Sequence, residues 1–176
     1  MRTPQCTIDT SCVIALDHLD LLRKLSVLFD RVLLPKAVRN DLFRRTSTKK
    51  RVQSLFRTYG FVTRCNDYDK GAVDILLAER VREGTEDRGE AEAVVQAAQV
   101  GAMVIVDDQW GRALAAQYNL DHHGTFWVIE QLHNLGLLSP SDLRISFEEL
   151  RKRKIWLPQE RVNALLEQIG EEPLRP

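Results

Sequence analysis

Cysteine is scarce in this chain, and what there is suits neither a disulfide framework nor a thiolate metal site. Cys6, Cys12 and Cys65 make an odd number, and no C-x-x-C spacing occurs. Excess charge is missing too: 25 Lys and Arg balance 25 Asp and Glu. The chain is therefore not a simple cationic nucleic-acid binder, and any such contact has to come from local clustering. No basic-then-apolar leader opens the sequence, and no apolar run approaches the length that spans a bilayer. Internal repeats and low-complexity segments are absent. A reducing cytoplasm is the expected setting. What is present is 44% hydrophobic residues in 176, which excludes disorder of the whole chain and suits one domain of ordinary size.

Short strand patterns alternate with helical ones. QCTID (5–9) reads as a strand, followed by Val13, Leu16, Leu19, Leu22 and Leu25 at helical spacing over 11–29. RVLL (31–34) is a second strand, and Pro35 opens a helix through Phe43. RRTSTKKR (44–51) is a basic loop or exposed helix start, and FVTRC (61–65) alternates as a strand does. Helices are predicted over 69–83 and 87–100, then the apolar strand MVIVD (103–107) and a helix over 109–118. LDHH (120–123) is a last strand, and helices follow at 126–135, 141–153 and 158–169. Strands separated by helices imply parallel pairing, hence an α/β fold: a three-layer α/β/α sandwich around a mainly parallel sheet. Residues 1–138 are expected to form the main domain, with 139–176 a helical extension packed on it.

Parallel sheets present ligands with the carboxyl ends of their strands. In IDTSCVIAL, Asp9 stands where the first strand ends, and Asp107-Asp108 stand where VIV ends. Asp41, in AVRNDL, lies between core-type Val38 and Leu42; Glu90 and Glu92 lie in DRGEAEAVVQAA. Carboxylates gathered in one cleft raise each other's pKa and call for cations. Mg²⁺ takes hard oxygen ligands together with water and phosphate. Two such ions about 4 Å apart activate water and stabilise a leaving oxygen in phosphodiester cleavage. Ser11 is placed to orient a ligand carboxylate or to bind water or phosphate.

Each acid also has a plainer role open to it. Asp9 can simply cap the helix that starts near Ser11, and Asp41 can be an exposed helix residue. Asp87 and Glu90 fit an Asp-type capping box. Glu90 and Glu92 flank the apolar face Ala91, Val94, Val95, Ala98 about 200° apart, so only one faces a given cleft, and periodicity does not choose between them. The acidic pair also resembles that of response-regulator receivers, but there it lies near the N-terminus. A D-x-D phosphatase is disfavoured because position 11 is Ser.

IDTSCVIAL, LPKAVRNDL, DRGEAEAVVQAA and VIVDDQWGRALA, in that order, resemble the four motifs of the PIN domains, metal-dependent nucleases with an α/β/α sandwich fold. GTFWVIEQLHNLGLL, IWLP and the last helix are similar to a prokaryotic toxin-like subgroup, so the resemblance covers nearly the whole chain. It implies that Asp9, Asp41, Glu90 and Asp108 are the catalytic acids, that Asp9, Glu90, Asp107 and Asp108 hold Mg²⁺ or Mn²⁺, and that Ser11 and Arg112 support them. Two departures stand out: position 41 is Asp rather than the usual Glu, and Trp110 is bulky enough to narrow the cleft.

The activity implied is metal-dependent cleavage of RNA by an endoribonuclease, with a small antitoxin protein and a homodimer as partners, and no membrane. A non-catalytic nucleic-acid- or partner-binding module, or a DNA-directed nuclease, is the alternative. Arg44, Arg45, Lys49, Lys50 and Arg51 form the densest basic run and suit phosphate contacts. Arg151 to Lys154 is a second run, read as a solvated face. His122-His123 are expected to be structural, and Phe126 and Trp127 to be core.

Overall fold

Five parallel strands carry the site. The structure, a computed structural model, describes residues 3–44, 54, 58, 60–80 and 87–174. The strands are β1 (Thr3–Ile8), β2 (Phe29–Leu34), β3 (Val62–Arg64), β4 (Met103–Ile105) and β5 (His122–His123), in the order β3-β2-β1-β4-β5. Among the described residues the helices are α1 (Thr10–His18), α2 (Leu25–Leu28), α3 (Lys36–Arg44), α4 (Lys70–Arg80), α5 (Arg88–Val100), α6 (Gln109–Gln117), α7 (Thr125–Asn134), α8 (Pro140–Lys152) and α9 (Gln159–Gln168). Every strand pair is parallel, with Cys6 opposite both Val32 and Met103 and Ile8 opposite Ile105.

The layers follow from the two-residue period of the strands. Met103 and Ile105 of β4 turn to one side, into a core with Cys6, Ile8, Leu16, Ile129, Phe147 and Leu166. Val104 and Val106 turn to the other, against Val94 and Ala97 of α5 and Leu114 and Ala115 of α6. Cys6, Thr7 and Ile8 are all fully buried, as a central parallel strand covered on both faces requires. The α/β/α sandwich expected from the alternation is the fold. Leu143, Phe147, Leu150, Val162 and Leu166 of the last two helices share one core with β1 and α1.

The element boundaries differ in one instructive place. The apolar spacing over 11–29 does not make one helix: α1 stops at His18, a 3₁₀ turn covers Leu22–Lys24, α2 is short, and Phe29 already belongs to β2. The break is a turn closed by Asp20 in the left-handed region (φ 54°), where the Leu21 N–H donates to Leu16 O at 2.9 Å and the Asp20 N–H to Asp17 O at 3.1 Å. An Asp fills a position that glycine usually signals, so nothing in the sequence marks the stop. Strand β4 ends at Ile105, short of the expected 107: the Val106 N–H makes a last bond to His123 O, and the chain then turns so that Asp108 caps the next helix. Helix α3 ends with Arg44; residues 45–51 and 81–83, predicted as loop and helix end, lie outside the described residues.

Candidate active site

The sheet order reverses between β1 and β4. The chain first builds outward from β1 through β2 to β3, then crosses to β4 and β5 on the other side. Carboxyl ends at such a switch point diverge and leave a crevice. The Asp9 N–H donates to Ile105 O at 3.0 Å, fixing the first acid beside the end of β4. An opening of about 690 Å³ lies there, lined by Thr10, Ser11, Glu90, Asp107, Asp108 and Arg112, with Ile155 and Trp156 from the C-terminal region.

Asp9 is fully buried. It caps α1, as its plainer role foresaw: Oδ1 accepts the Cys12 N–H at 2.8 Å. The Ser11 hydroxyl donates to Oδ2 at 2.7 Å, so Ser11 does orient this carboxylate. Burial pushes the Asp9 carboxyl up to about 6; the hydrogen bonds from Cys12 and Ser11 oppose the rise, and the Asp107 charge adds to it. Glu90 stands at about 7, raised first by burial and then by the charges of Asp9, Asp87 and Asp108. These mutual effects place the acids within electrostatic reach of one another.

Asp107 and Asp108 are held differently. Asp107 accepts from the Thr125 N–H at 2.9 Å and from the Thr125 hydroxyl at 2.6 Å. A Cβ on Gly124 would lie 2.2 Å from Asp107 Oδ1, so only glycine lets this loop close over the carboxylate. Asp108 is exposed and caps α6, its Oδ1 accepting from the N–H groups of Trp110 at 2.7 Å and Gly111 at 3.1 Å. Sequence reading missed Thr125 and Gly124 as supports; the signal available was the Gly-Thr pair at a strand-to-helix junction.

Glu90 and Glu92 separate as the helix geometry requires. Glu90 lines the acidic opening, whereas Glu92 is buried on the far side, where its Oε2 accepts the Ala37 N–H of α3 at 2.7 Å and it receives the Tyr68 hydroxyl. The capping box does not form through Asp87, whose carboxylate instead pairs with Arg80 at 2.7 Å. Asp41 lines a second opening, also about 690 Å³, together with Lys36, Arg44, Lys70, Arg88 and Glu92. Gly89 divides the two: a Cβ there would lie 3.7 Å from Thr10 Oγ1 on one side and 3.8 Å from Asp41 Oδ2 on the other. Asp41 thus stands at the divide, with Arg44 at 3.5 Å.

Other side chains settle more simply. Trp110 does not line the acidic opening; it packs with Arg80, whose Cζ lies 5.1 Å from its ring centroid, against the helix layer of α4 and α5. His123 stacks on Trp127 at 4.2 Å, and His122 bonds to Leu120 O. Phe126 stacks on Phe147 in the core. Arg45, Lys49, Lys50 and Arg51 lie outside the described residues, and Arg44 is exposed.

A family model described as PIN domain, DUF3368, matches residues 5–171. The chain belongs to the PIN-domain family. No curated protein matches it, and the crystal structure of PAE2754 from Pyrobaculum aerophilum is similar with a TM-score of 0.47 at 17% identity, over 76% of this chain and 99% of that one. PIN domains are generally nucleases and generally use divalent metal ions. No helix among the described residues is long and apolar enough to cross a membrane.

The donor set of this PIN domain suits such an ion. All the candidate ligands are hard oxygens, and the buried hydroxyl oxygen of Thr10, on the wall of the opening, has no hydrogen-bond partner. Among the described residues no three Asp, Glu, His or Cys stand, as they are, in a group that could hold a metal ion. Mg²⁺ does not need three such ligands, since it typically keeps several waters and binds through one or two carboxylates and substrate phosphate.

Proposed function

We propose that this PIN domain is a Mg²⁺- or Mn²⁺-dependent endoribonuclease. The observation that supports the reading is that Glu90, Asp107 and Asp108 line one opening at the sheet's switch point, with Asp9 buried behind its wall and electrostatically coupled to Glu90 and Asp107. Asp9, Glu90 and Asp108, with Asp107 beside them, would hold the ion, and Asp41 would act from the rim. Bound there, a divalent ion would lower the pKa of water and offset charge developing on a phosphodiester.

The protein's own residues do the positioning. Ser11 and the Cys12 N–H fix both oxygens of Asp9, and Thr125 fixes both oxygens of Asp107. The first turns of α1 and α6 begin at Asp9 and Asp108, so two helix N-termini bring partial positive charge to the place where a phosphate would lie. Glu90 stands at about 7 without metal, chiefly because it is buried, and a divalent ion bound there would hold it ionised. Arg44, exposed beside Asp41, would contact substrate phosphates, and the rest of the basic run, Arg45, Lys49, Lys50 and Arg51, would share that role.

The likeness to toxin-like PIN proteins extends the proposal to the toxin of a toxin–antitoxin pair, a homodimer bound by a small antitoxin in the cytoplasm. A second reading, a non-catalytic binding module, draws on the open arrangement of the acids and on Asp in place of Glu at position 41. Cleavage of an RNA and single-stranded DNA panel with Mg²⁺, Mn²⁺ or EDTA, comparing wild type with Asp9→Asn, decides between them. Metal-dependent cutting of RNA that the variant loses supports the nuclease. Cutting of DNA alone makes the enzyme a deoxyribonuclease, and binding without cutting supports the module.

A further inference from the structure

Of the three tryptophans, Trp110 and Trp127 are packed and Trp156 is 57% exposed. An exposed indole offers a large flat apolar face together with a polar N–H edge. Trp156 lies between α8 and α9, on the wall of the acidic opening. Its position is fixed by the backbone on both sides rather than by its own burial. Lys154 adopts the left-handed region (φ 58°), the Ile155 N–H donates back to Leu150 O at 3.0 Å, and Ile155 and Leu157 both pack against the main core. The ring is thus presented to the opening by a structured turn.

Its partner comes from the acid side. Arg112 sits one helical turn after Asp108, its N–H bonded to Asp108 O at 3.0 Å, and its Cζ lies 5.1 Å from the Trp156 ring centroid. Among the described residues no carboxylate forms an ion pair with its guanidinium. The guanidinium covers one face of the indole, leaving the other for a base and its own fork of donors for phosphate.

We infer that Trp156 and Arg112 form a stacking clamp on the wall of the acidic opening, the indole taking an unpaired nucleobase and the guanidinium the adjoining phosphate. The inference rests on the nuclease reading of the same site. Bases in a duplex have both faces occupied by their neighbours, whereas a single strand can lay one base on the indole. Every base has a π face, so the clamp selects strandedness rather than sequence. Arg112 would hold the adjoining phosphate while keeping its contact with the ring.

The test measures binding in EDTA, where no cutting occurs. Single-stranded RNA and DNA 12-mers, the same strands with one abasic site at each position in turn, and the corresponding duplexes are titrated against wild type, Trp156→Ala and Trp156→Phe. Trp156→Ala is expected to lose about 5- to 100-fold in single-strand affinity. Trp156→Phe should stay within about threefold of wild type, and duplex binding should not change. With Mn²⁺, the loss should appear in KM far more than in kcat. The RNA and DNA arms show which polymer the clamp prefers.

Equal single-strand binding by wild type and a folded Trp156→Ala overturns the clamp, and metal-dependent cutting by both proteins would then leave the nuclease standing. Equal losses on single strands and duplexes overturn it as well. Base-dependent binding that Trp156→Ala loses, in a protein that cuts nothing with any metal, keeps the clamp and refutes the nuclease. Wild type that binds no strand overturns the clamp, and the nuclease with it if no strand is cut with Mn²⁺.

Discussion

Asp9 carries a cost that can be measured without any substrate. Its carboxyl is fully buried and stands at about 6, against an ordinary 3.8. Between those values the folded state holds a proton that the unfolded chain has released, so stability falls as pH rises through this window and stays low above it. Once Asp9 is ionised, the deficit is about 3 kcal/mol. Asn keeps the cap, because its Oδ1 can accept the Cys12 N–H and the Ser11 hydroxyl can turn to accept from its amide. It gives up a favourable charge at the start of α1, worth about 0.3–1 kcal/mol. Asp9→Asn should therefore stabilise the metal-free protein at pH 8 by about 2–3 kcal/mol, which for a chain of this size raises Tm by roughly 5–10 °C. At pH 4 the gain should shrink to less than about 1 kcal/mol. Thermal melts in EDTA at both pH values check this, and melts with Mn²⁺ add a second arm: the ion should raise Tm of wild type far more than that of the variant. A variant no more stable than wild type at pH 8, or a gain of equal size at pH 4, would refute the reasoning that burial of an ionised acid sets the cost.

Three further outcomes follow from neighbouring residues. Glu92→Ala should cost about 1–3 kcal/mol in chemical denaturation, because the buried Ala37 N–H loses its acceptor, yet leave the Mn²⁺-induced Tm shift intact; Glu90→Gln should do the reverse. Gly124→Ala should destabilise by about 1–3 kcal/mol, since the new methyl would sit 2.2 Å from an Asp107 oxygen pinned by Thr125; urea unfolding measures it. Lys154→Gly should stabilise by about 1 kcal/mol by relieving a left-handed lysine (φ 58°), seen as a higher urea midpoint with an unchanged slope.

The parts of the molecule legible in its sequence are those that a single physical rule decides. The strands over 3–8 and 103–105 are found in the right places, though the sequence puts their ends at 5–9 and 103–107; the apolar run of MVI marks a strand covered on both faces. Asp9 and the acidic pair come into view for the same reason, as the first charges after buried runs. The helix stop at Asp20 stays hidden because Asp tolerates the left-handed region without announcing it as glycine does. Periodicity puts Glu90 and Glu92 on opposite sides of α5 but cannot say which side meets β1; the packing of α3 on α5, sealed by Glu92 and the Ala37 N–H, decides that. Trp156 is out of reach from sequence because a turn far along the chain brings it to the acids, and no local pattern encodes that approach.

The order of the strands has a consequence for how the chain comes off the ribosome. Strand β1 is made first and finds β2 soon afterwards, but its other edge waits for β4, with Cys6 paired to Met103. At 5–20 residues per second that wait is on the order of 5–20 s, during which an apolar strand at the heart of the molecule has an open side. Asp9 has no second acid beside it until α5 and β4 have emerged. The sheet therefore closes on β1 and the acids come together in the same late step, when β4 pairs with it.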